Sequence, residues 1–294
     1  MSFRRTPSGI ANLHLFFRVD SIVFCEGGEP LGVTAALSGG GDESTLDCDF
    51  WRRTASFLGA KRTYHFKSIG SKSTLKLIAQ DATTHSIATA IVCFDRDFDW
   101  HCQRELTQSR VAYTYGYSWE NDAISEIALE GVFLRFFPRD ARGQEILTSI
   151  SNEMARFKKD VQPWCESEIA LSFRGHKPIF DRNKPLASID LNATPPRFSH
   201  ERARQMLIGA GYARRPRRKI MVSNSHTLQH CWGKMVSRFG FHLFTKLVTQ
   251  VHAEFRLTYD AFMRLMTSET FEAMSKGKLP ELEKHFKRYT EIFT

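Results

Sequence analysis

The sequence predicts an α/β protein: a mostly parallel sheet flanked by helices, followed by a mainly helical C-terminal region. Three observations predict it. Up to about Phe137, short apolar runs alternate with amphipathic segments, the pattern of βα units. Two of those runs, 22–25 and 90–94, are apolar at every position, as expected of parallel strands buried on both faces. From Ser199 onward apolar residues recur at helical spacing.

In chain order, the predicted strands are 21–25, 64–69, 88–94 and 111–115, and the helices between them are 50–58, 71–80 and 120–130. The Gly-rich insertion 27–47, with Gly39-Gly40-Gly41, reads as a surface loop or hairpin. A helix over 144–158 precedes a loop-rich passage to Pro196. Ser199 caps a helix over 201–209. Leu243, Leu247, Val251, Phe255 and Leu257 mark one helical face, and 279–293 closes the chain. The reading divides the chain into 1–137 and 138–294.

With 42% hydrophobic and 25% charged residues the composition is that of an ordinary globular protein. No run reaches the roughly 18–20 apolar residues of a membrane span. The first residues lack an apolar stretch followed by a small-residue cleavage site. A cytoplasmic protein without membrane association is expected. Six cysteines with no CxxC pair argue against a disulfide framework and against structural zinc, and Cys25 and Cys93 read as small core residues. A net charge of +9 favours an anionic partner such as nucleic acid.

The two apolar runs end in acids. The first leads into Glu26-Gly27-Gly28, the second into Asp95-Arg96-Asp97. Ligands of open α/β sheets gather beyond the carboxyl ends of the strands. Asp95 and Asp97, two apart on an extended chain, face the same way. With Glu26 they form an oxygen-only, negative set that suits Mg2+ or Mn2+. Such a cation activates water and stabilises charge on a phosphate in transfer.

Glu26-Gly27 after an apolar strand, the Gly70-Ser71-Lys72 turn opening a helix, and Asp95-Arg96-Asp97 together resemble a TOPRIM domain, the module of topoisomerases, primases and OLD-type nucleases. The run Ser118-Trp119-Glu120-Asn121-Asp122 resembles a segment of the TOPRIM branch found in bacterial defence loci, such as the AriB-type effectors of the PARIS anti-phage system. The resemblance spans about residues 20–130 and, more loosely, the helical tail with Gly233-Lys234. It implies a Mg2+- or Mn2+-dependent endonuclease that cleaves tRNA as a toxin and is restrained by an ABC-type ATPase partner of the AriA kind. It also implies a homodimer once the nuclease is released. By the same resemblance Glu26 is the metal-organising or general-base acid, Asp95 and Asp97 are metal ligands, Glu120 is a supporting acid, and Lys72 holds a phosphate. The family usually has an Asp soon after Glu-Gly; here Asp47 and Asp49 come only after the insertion. A DNA nuclease of OLD type and a catalytically silent regulatory subunit are the alternative readings.

Other patterns carry less. Gly70-Ser71-Lys72-Ser73-Thr74 lacks the Gly-Lys-Ser/Thr order of a phosphate-binding loop, so the chain is not itself the ATPase. Gly116-Tyr117-Ser118-Trp119-Glu120 begins like a nucleophile elbow and fails at its last position. His226 and His230 share a helix face beside Cys231, but no further zinc ligand accompanies them, and a core or surface role is favoured.

The run Arg214-Arg215-Pro216-Arg217-Arg218-Lys219 reads either as a solvated face or as a phosphate-contacting surface. The second reading is testable. Neutralising Arg215, Arg217 and Arg218 should weaken nucleic-acid binding and flatten its salt dependence. The melting temperature should hardly move, because exposed charges contribute little to stability. Binding unchanged at low and high salt would leave the run a solvated face.

Overall fold

Four short runs pair as parallel strands in the computed structural model, which describes residues 7–37, 40–216 and 226–294. The chain folds as two compact units. Unit 1 comprises Met1–Asp95, Glu105–Tyr115 and Phe271–Thr294; unit 2 comprises Arg96–Arg104 and Gly116–Thr270. The sequence reading cut the chain once at 137/138, whereas these units interleave along it.

Unit 1 contains, in order, α1 (Pro7–Phe17), β1 (Ser21–Cys25), α2 (Val33–Leu37), α3 (Leu46–Phe57), β2 (Tyr64–Ser68), α4 (Lys72–Thr84), β3 (Ala90–Phe94) and β4 (Val111–Tyr113). The strand order is β2-β1-β3-β4, all parallel. Every residue of β1 and β3 is buried, which accounts for the unbroken apolar runs 22–25 and 90–94 within them. Side chains alternate across the sheet. Ile22, Phe24, Val92 and Phe94 join a cluster with Ile10 and Leu13 of α1 and Leu75, Ile78 and Ala82 of α4. Cys25, of opposite parity, meets Cys48 of α3. On α3, Phe50 lies 5.6 Å from Phe271 and 5.8 Å from Phe286, and Trp51 lies 6.1 Å from Phe286 (ring centroids). Burial of each such ring stabilises the unit by roughly 2–3 kcal/mol. The final segment therefore packs on α3, and Tyr64 donates its hydroxyl to the carbonyl of Phe293 at 2.6 Å.

Several boundaries differ from expectation for local reasons. Helix α3 starts at Leu46 because the Thr45 hydroxyl accepts the amide of Cys48 at 3.1 Å. Ser71 caps α4 through the amide of Thr74 rather than lying within the helix. Among its described residues the 27–47 insertion forms no hairpin: it carries α2 and a single bridge from Asp42 to Ser68. Buried Lys67 fastens it by donating to the carbonyl of Ala36 at 2.7 Å, and burial brings its pKa down to about 8. Gly70 has φ +64°, and a Cβ there would stand 2.2 Å from the carbonyl carbon of Glu29, so only glycine lets the two loops pass.

Unit 2 is mainly helical: α5 (Asp99–Cys102), α6 (Trp119–Ala123), α7 (Glu126–Phe136), α8 (Ala141–Phe173), α9 (His200–Gly209), α10 (Gly233–Thr249) and most of α11 (Tyr259–Ser275). A two-residue antiparallel ladder joins β5 (Ile189–Asp190) to β6 (Arg197–Phe198). The helix expected over 120–130 is two helices, because Ser125 caps the second through the amide of Ala128. Helix α8 runs 33 residues, well past 158 and through Pro163. A proline costs a helix one backbone hydrogen bond, and the buried stripe Phe157, Val161, Trp164, Cys165 and Ile169 outweighs that loss. Phe157 stacks on Phe239 of α10 at 4.0 Å between centroids. Helix α10 ends at Thr249, so Val251, Phe255 and Leu257 lie beyond the face they were expected to continue. The closing segment, in unit 1, is two helices, Pro280–Lys287 and Thr290–Phe293. Among the described residues no helix is long and apolar enough to cross a membrane.

Glu168 of α8 is buried, and one carboxylate oxygen accepts the amides of Ile179 at 2.5 Å and Phe180 at 3.3 Å. Burial raises its pKa from 4.5 to about 7, against the pull of those two amides and of Arg182. The ionised form is therefore disfavoured in the folded chain. The resulting penalty is absent below the unfolded pKa, grows through the interval up to about pH 7, and is complete above it. Glu168→Gln keeps an acceptor and removes the charge. It should gain stability over wild type between about pH 5 and about pH 8, with a ceiling near 3 kcal/mol. Urea unfolding at both pH values measures this, and a pH-independent difference would contradict the raised pKa.

Candidate functional site

The order β2-β1-β3-β4 has its topological switch point between β1 and β3, because the chain leaves β1 toward β2 on one side and returns to β3 on the other. Ligands of such sheets bind at that crevice, beyond the carboxyl ends. Glu26 follows β1 and Asp95 follows β3, with Cys25 and Cys93 in register before them. Glu26 accepts the amide of Asp95 at 3.2 Å. Lys72, the first residue of α4, donates its ammonium to the carbonyl of Asp95 at 2.8 Å. The sequence reading gave Lys72 to a phosphate; here its ammonium holds the peptide that follows β3.

A further acid stands at this edge. Asp47, buried in the first turn of α3, accepts the amide of Gly27 at 3.0 Å. Asp49 instead pairs with Arg52 at 2.5 Å. The sequence left open whether either of them joins Glu26; the start of α3 puts Asp47, and not Asp49, on the amide of Gly27. Behind the acids lie three buried thiols, Cys25, Cys48 and Cys93, and all six cysteines are free. Burial raises the pKa of Cys25 and Cys93, so the sheet sets no thiolate behind the carboxylates. Among the described residues no three His, Cys, Asp or Glu side chains are grouped so as to hold a metal ion.

Asp97 belongs to unit 2. Its φ of 51° is left-handed, a conformation Asp tolerates better than most residues. Its amide donates to the carbonyl of Tyr117 at 2.6 Å. Arg182 approaches its carboxylate at 3.6 Å and lies 5.6 Å from the Tyr117 ring centroid. Nothing in the loop-rich passage of the sequence singled out Arg182, because it has no periodic neighbour and no motif.

The segment 118–122 is a buried polar knot. Asn121 donates to the carbonyls of Leu228 at 2.5 Å and Cys231 at 2.8 Å, and accepts the amide of Ser118 at 2.9 Å. Asp122 accepts the amide of Gly116 at 2.7 Å. Glu120 accepts the Ser118 hydroxyl at 2.5 Å, and burial raises its pKa, opposed by that bond and by Lys234 and reinforced by Asp97. Gly233 opens α10 directly on this knot: a Cβ there would stand 1.8 Å from the Ser118 hydroxyl oxygen. The expected supporting acid is thus an enclosed carboxyl, and its neighbours Asn121 and Asp122 are braces for the loop.

His226 and His230 do not share an α-helical face, since Leu228–His230 is a 3-10 turn. His230 meets His101 nitrogen to nitrogen at 3.1 Å, and burial, helped by His101, lowers its pKa to about 3, so the ring is neutral. Of the basic run, Arg214 and Arg215 line a cavity of about 840 Å³. Arg217, Arg218 and Lys219 lie outside the described residues. No family description matches the chain, and no curated protein and no solved structure matches it.

Asn121→Ala would leave the buried carbonyls of Leu228 and Cys231 without their donor. At about 1–3 kcal/mol for each polar group left unsatisfied, a loss of roughly 3 kcal/mol is expected in urea unfolding. A loss below about 1 kcal/mol would mean that the knot does not brace the loop.

Proposed function

We propose that this chain is a metal-dependent endonuclease and that tRNA is its substrate. The observation carrying the proposal is the pair of acids at the β1/β3 switch point, where Glu26 meets the amide of Asp95 and Lys72 fixes the carbonyl of Asp95. Asp47 stands at the same edge on the amide of Gly27. Glu26 and Asp95 offer only oxygen donors, the hard chemistry that Mg2+ or Mn2+ takes while keeping several waters. The net charge of +9 supports a polyanionic substrate.

Glu26 and Asp95 would hold the cation. Once bound, it supplies Lewis acidity toward a phosphoryl oxygen and toward water. The chain's own residues do the rest. Glu26 takes the proton from the attacking water as its oxygen bonds to phosphorus and the bond to the leaving oxygen breaks. Lys72 keeps Asp95 in place through the main chain, and Asp47 does the same for the peptide that follows Glu26. The resemblance to AriB-type effectors completes the reading: an ABC-type ATPase partner restrains the nuclease, and freed chains pair as a homodimer.

A cleavage assay on tRNA and on DNA, with Mg2+, with Mn2+ and with EDTA, tests the proposal. Glu26→Gln should lower tRNA cleavage by about a hundredfold or more, the scale of a lost general base. Its fold should persist, because one of several like charges is removed. Mg2+ should raise the melting temperature of the wild type, since an ion that binds only the folded chain shifts the equilibrium toward it, and Asp95→Asn should reduce that gain. Cleavage that survives EDTA, or Glu26→Gln cutting as well as wild type, would sink the proposal. Cleavage of DNA alone would move the substrate from tRNA to DNA.

A further inference from the structure

No Asp or Glu occurs between Glu201 and Glu254, while ten Lys and Arg fall in that stretch. Part of this unbalanced charge is gathered around the cavity of about 840 Å³ in unit 2. Arg174 and His176 reach it from the loop that follows α8, and Arg214 and Arg215 from the loop that follows α9. Among the described residues no acidic side chain lines it. Among the described residues no carboxylate pairs with Arg214 or Arg215.

The cavity offers more than charge. Tyr212 lines it with its hydroxyl tied to the carbonyl of Lys177 at 2.8 Å, so the ring is held between the two loops. The Arg215 guanidinium lies 5.3 Å from the centroid of the Trp164 ring of α8, a cation–π placement that holds the charge in position. Buried Leu171 and Pro216 add apolar surface. An inorganic phosphate would fill little of this volume, and an acidic peptide would leave the aromatic and apolar lining unused. Guanidinium groups beside a fixed aromatic ring are the surroundings of one unstacked base with its phosphate. The volume is also in the range of small-ligand pockets.

We infer that this cavity receives a single unstacked nucleotide, its phosphate on Arg214 and Arg215 and its base against Tyr212. The inference rests on nucleic acid being the substrate class proposed above. It deepens that reading by giving the grip on the strand to unit 2, while the acids belong to unit 1. A uniform electrostatic surface would respond only to charge; this cavity responds to a base as well.

The test measures binding in EDTA, so that cleavage plays no part. The full chain is titrated into a fluorescently labelled single-stranded RNA of ten nucleotides, and the complex is challenged with nucleoside monophosphates or with inorganic phosphate. Tyr212→Leu should weaken RNA binding about tenfold, the scale of one lost base–aromatic stack. Arg214→Gln, at an exposed residue whose loss spares the fold, should weaken it several-fold. Arg62→Gln, which removes an exposed charge from unit 1, should do so much less. Nucleoside monophosphates should displace the RNA at concentrations where inorganic phosphate does not. If they bind without displacing it, the cavity takes free nucleotides only, and the strand-gripping role is wrong. If Tyr212→Leu and Arg214→Gln bind like Arg62→Gln, or phosphate competes as well as the nucleotides, the inference fails while nucleic-acid binding stands. If the wild type binds neither RNA nor nucleotide, the substrate class itself falls. Melting curves of each variant confirm that the compared proteins are folded.

Discussion

The side-by-side pairing of β1 with β3 puts a carboxylate at each of two adjacent strand ends, and most of unit 1 answers to that juxtaposition. Acids at neighbouring strand ends, at the mouth of a sheet whose two central strands are wholly buried, repel one another more strongly than they would in water. Main-chain donors relieve the repulsion. Glu26 takes the amide of Asp95, and Asp47 takes the amide of Gly27. The surrounding elements are set to make these bonds available. Thr45 begins α3 early enough to bring Asp47 back to the edge, and Ser71 begins α4 so that Lys72 reaches the carbonyl of Asp95. Gly70 lets the strap after Glu26 cross the turn before α4 without a clash. The loops fit the acids, and the sheet supplies only their spacing.

What could be read in the sequence was what local chemistry specifies. The runs 22–25 and 90–94 are apolar without alternation, and only strands covered on both faces tolerate that. Glu26 and Asp95 stood out because acids break those runs at the carboxyl end. Asp47 could not be placed, since its position depends on a helix start twenty residues beyond the strand and on the path of the insertion between. The break at Ser125 and the passage of α8 through Pro163 went the other way from local rules. A serine cap ended one helical pattern, and a buried stripe carried another past a proline. Packing of Phe271 and Phe286 on Phe50 and Trp51 joins residues more than two hundred positions apart, and no periodicity encodes it.

The two units also divide the chemistry. Unit 1 holds its acids on backbone amides, where removing one charge disturbs little else. Unit 2 encloses the carboxyls of Glu120 and Glu168, and burial holds both toward the neutral form. The Ser-Trp-Glu-Asn-Asp run accordingly combines two kinds of residue that a motif cannot tell apart. Asn121 and Asp122 fix the loop by hydrogen bonds to main chain, while Glu120 is walled in with the Ser118 hydroxyl. A motif read as one functional unit is, in space, largely a brace.

The chain passes from one compact unit to the other at 95/96, 104/105, 115/116 and 270/271. Neither unit can therefore be released by a single proteolytic nick or expressed as one uninterrupted gene fragment. A truncation ending after the sheet would keep all four strands but discard Phe271 and Phe286, baring Phe50 and Trp51 as an apolar patch prone to self-association. Separating the acid edge from the helical unit would need a redesigned connectivity, with the terminal helices re-joined to the strands they cover.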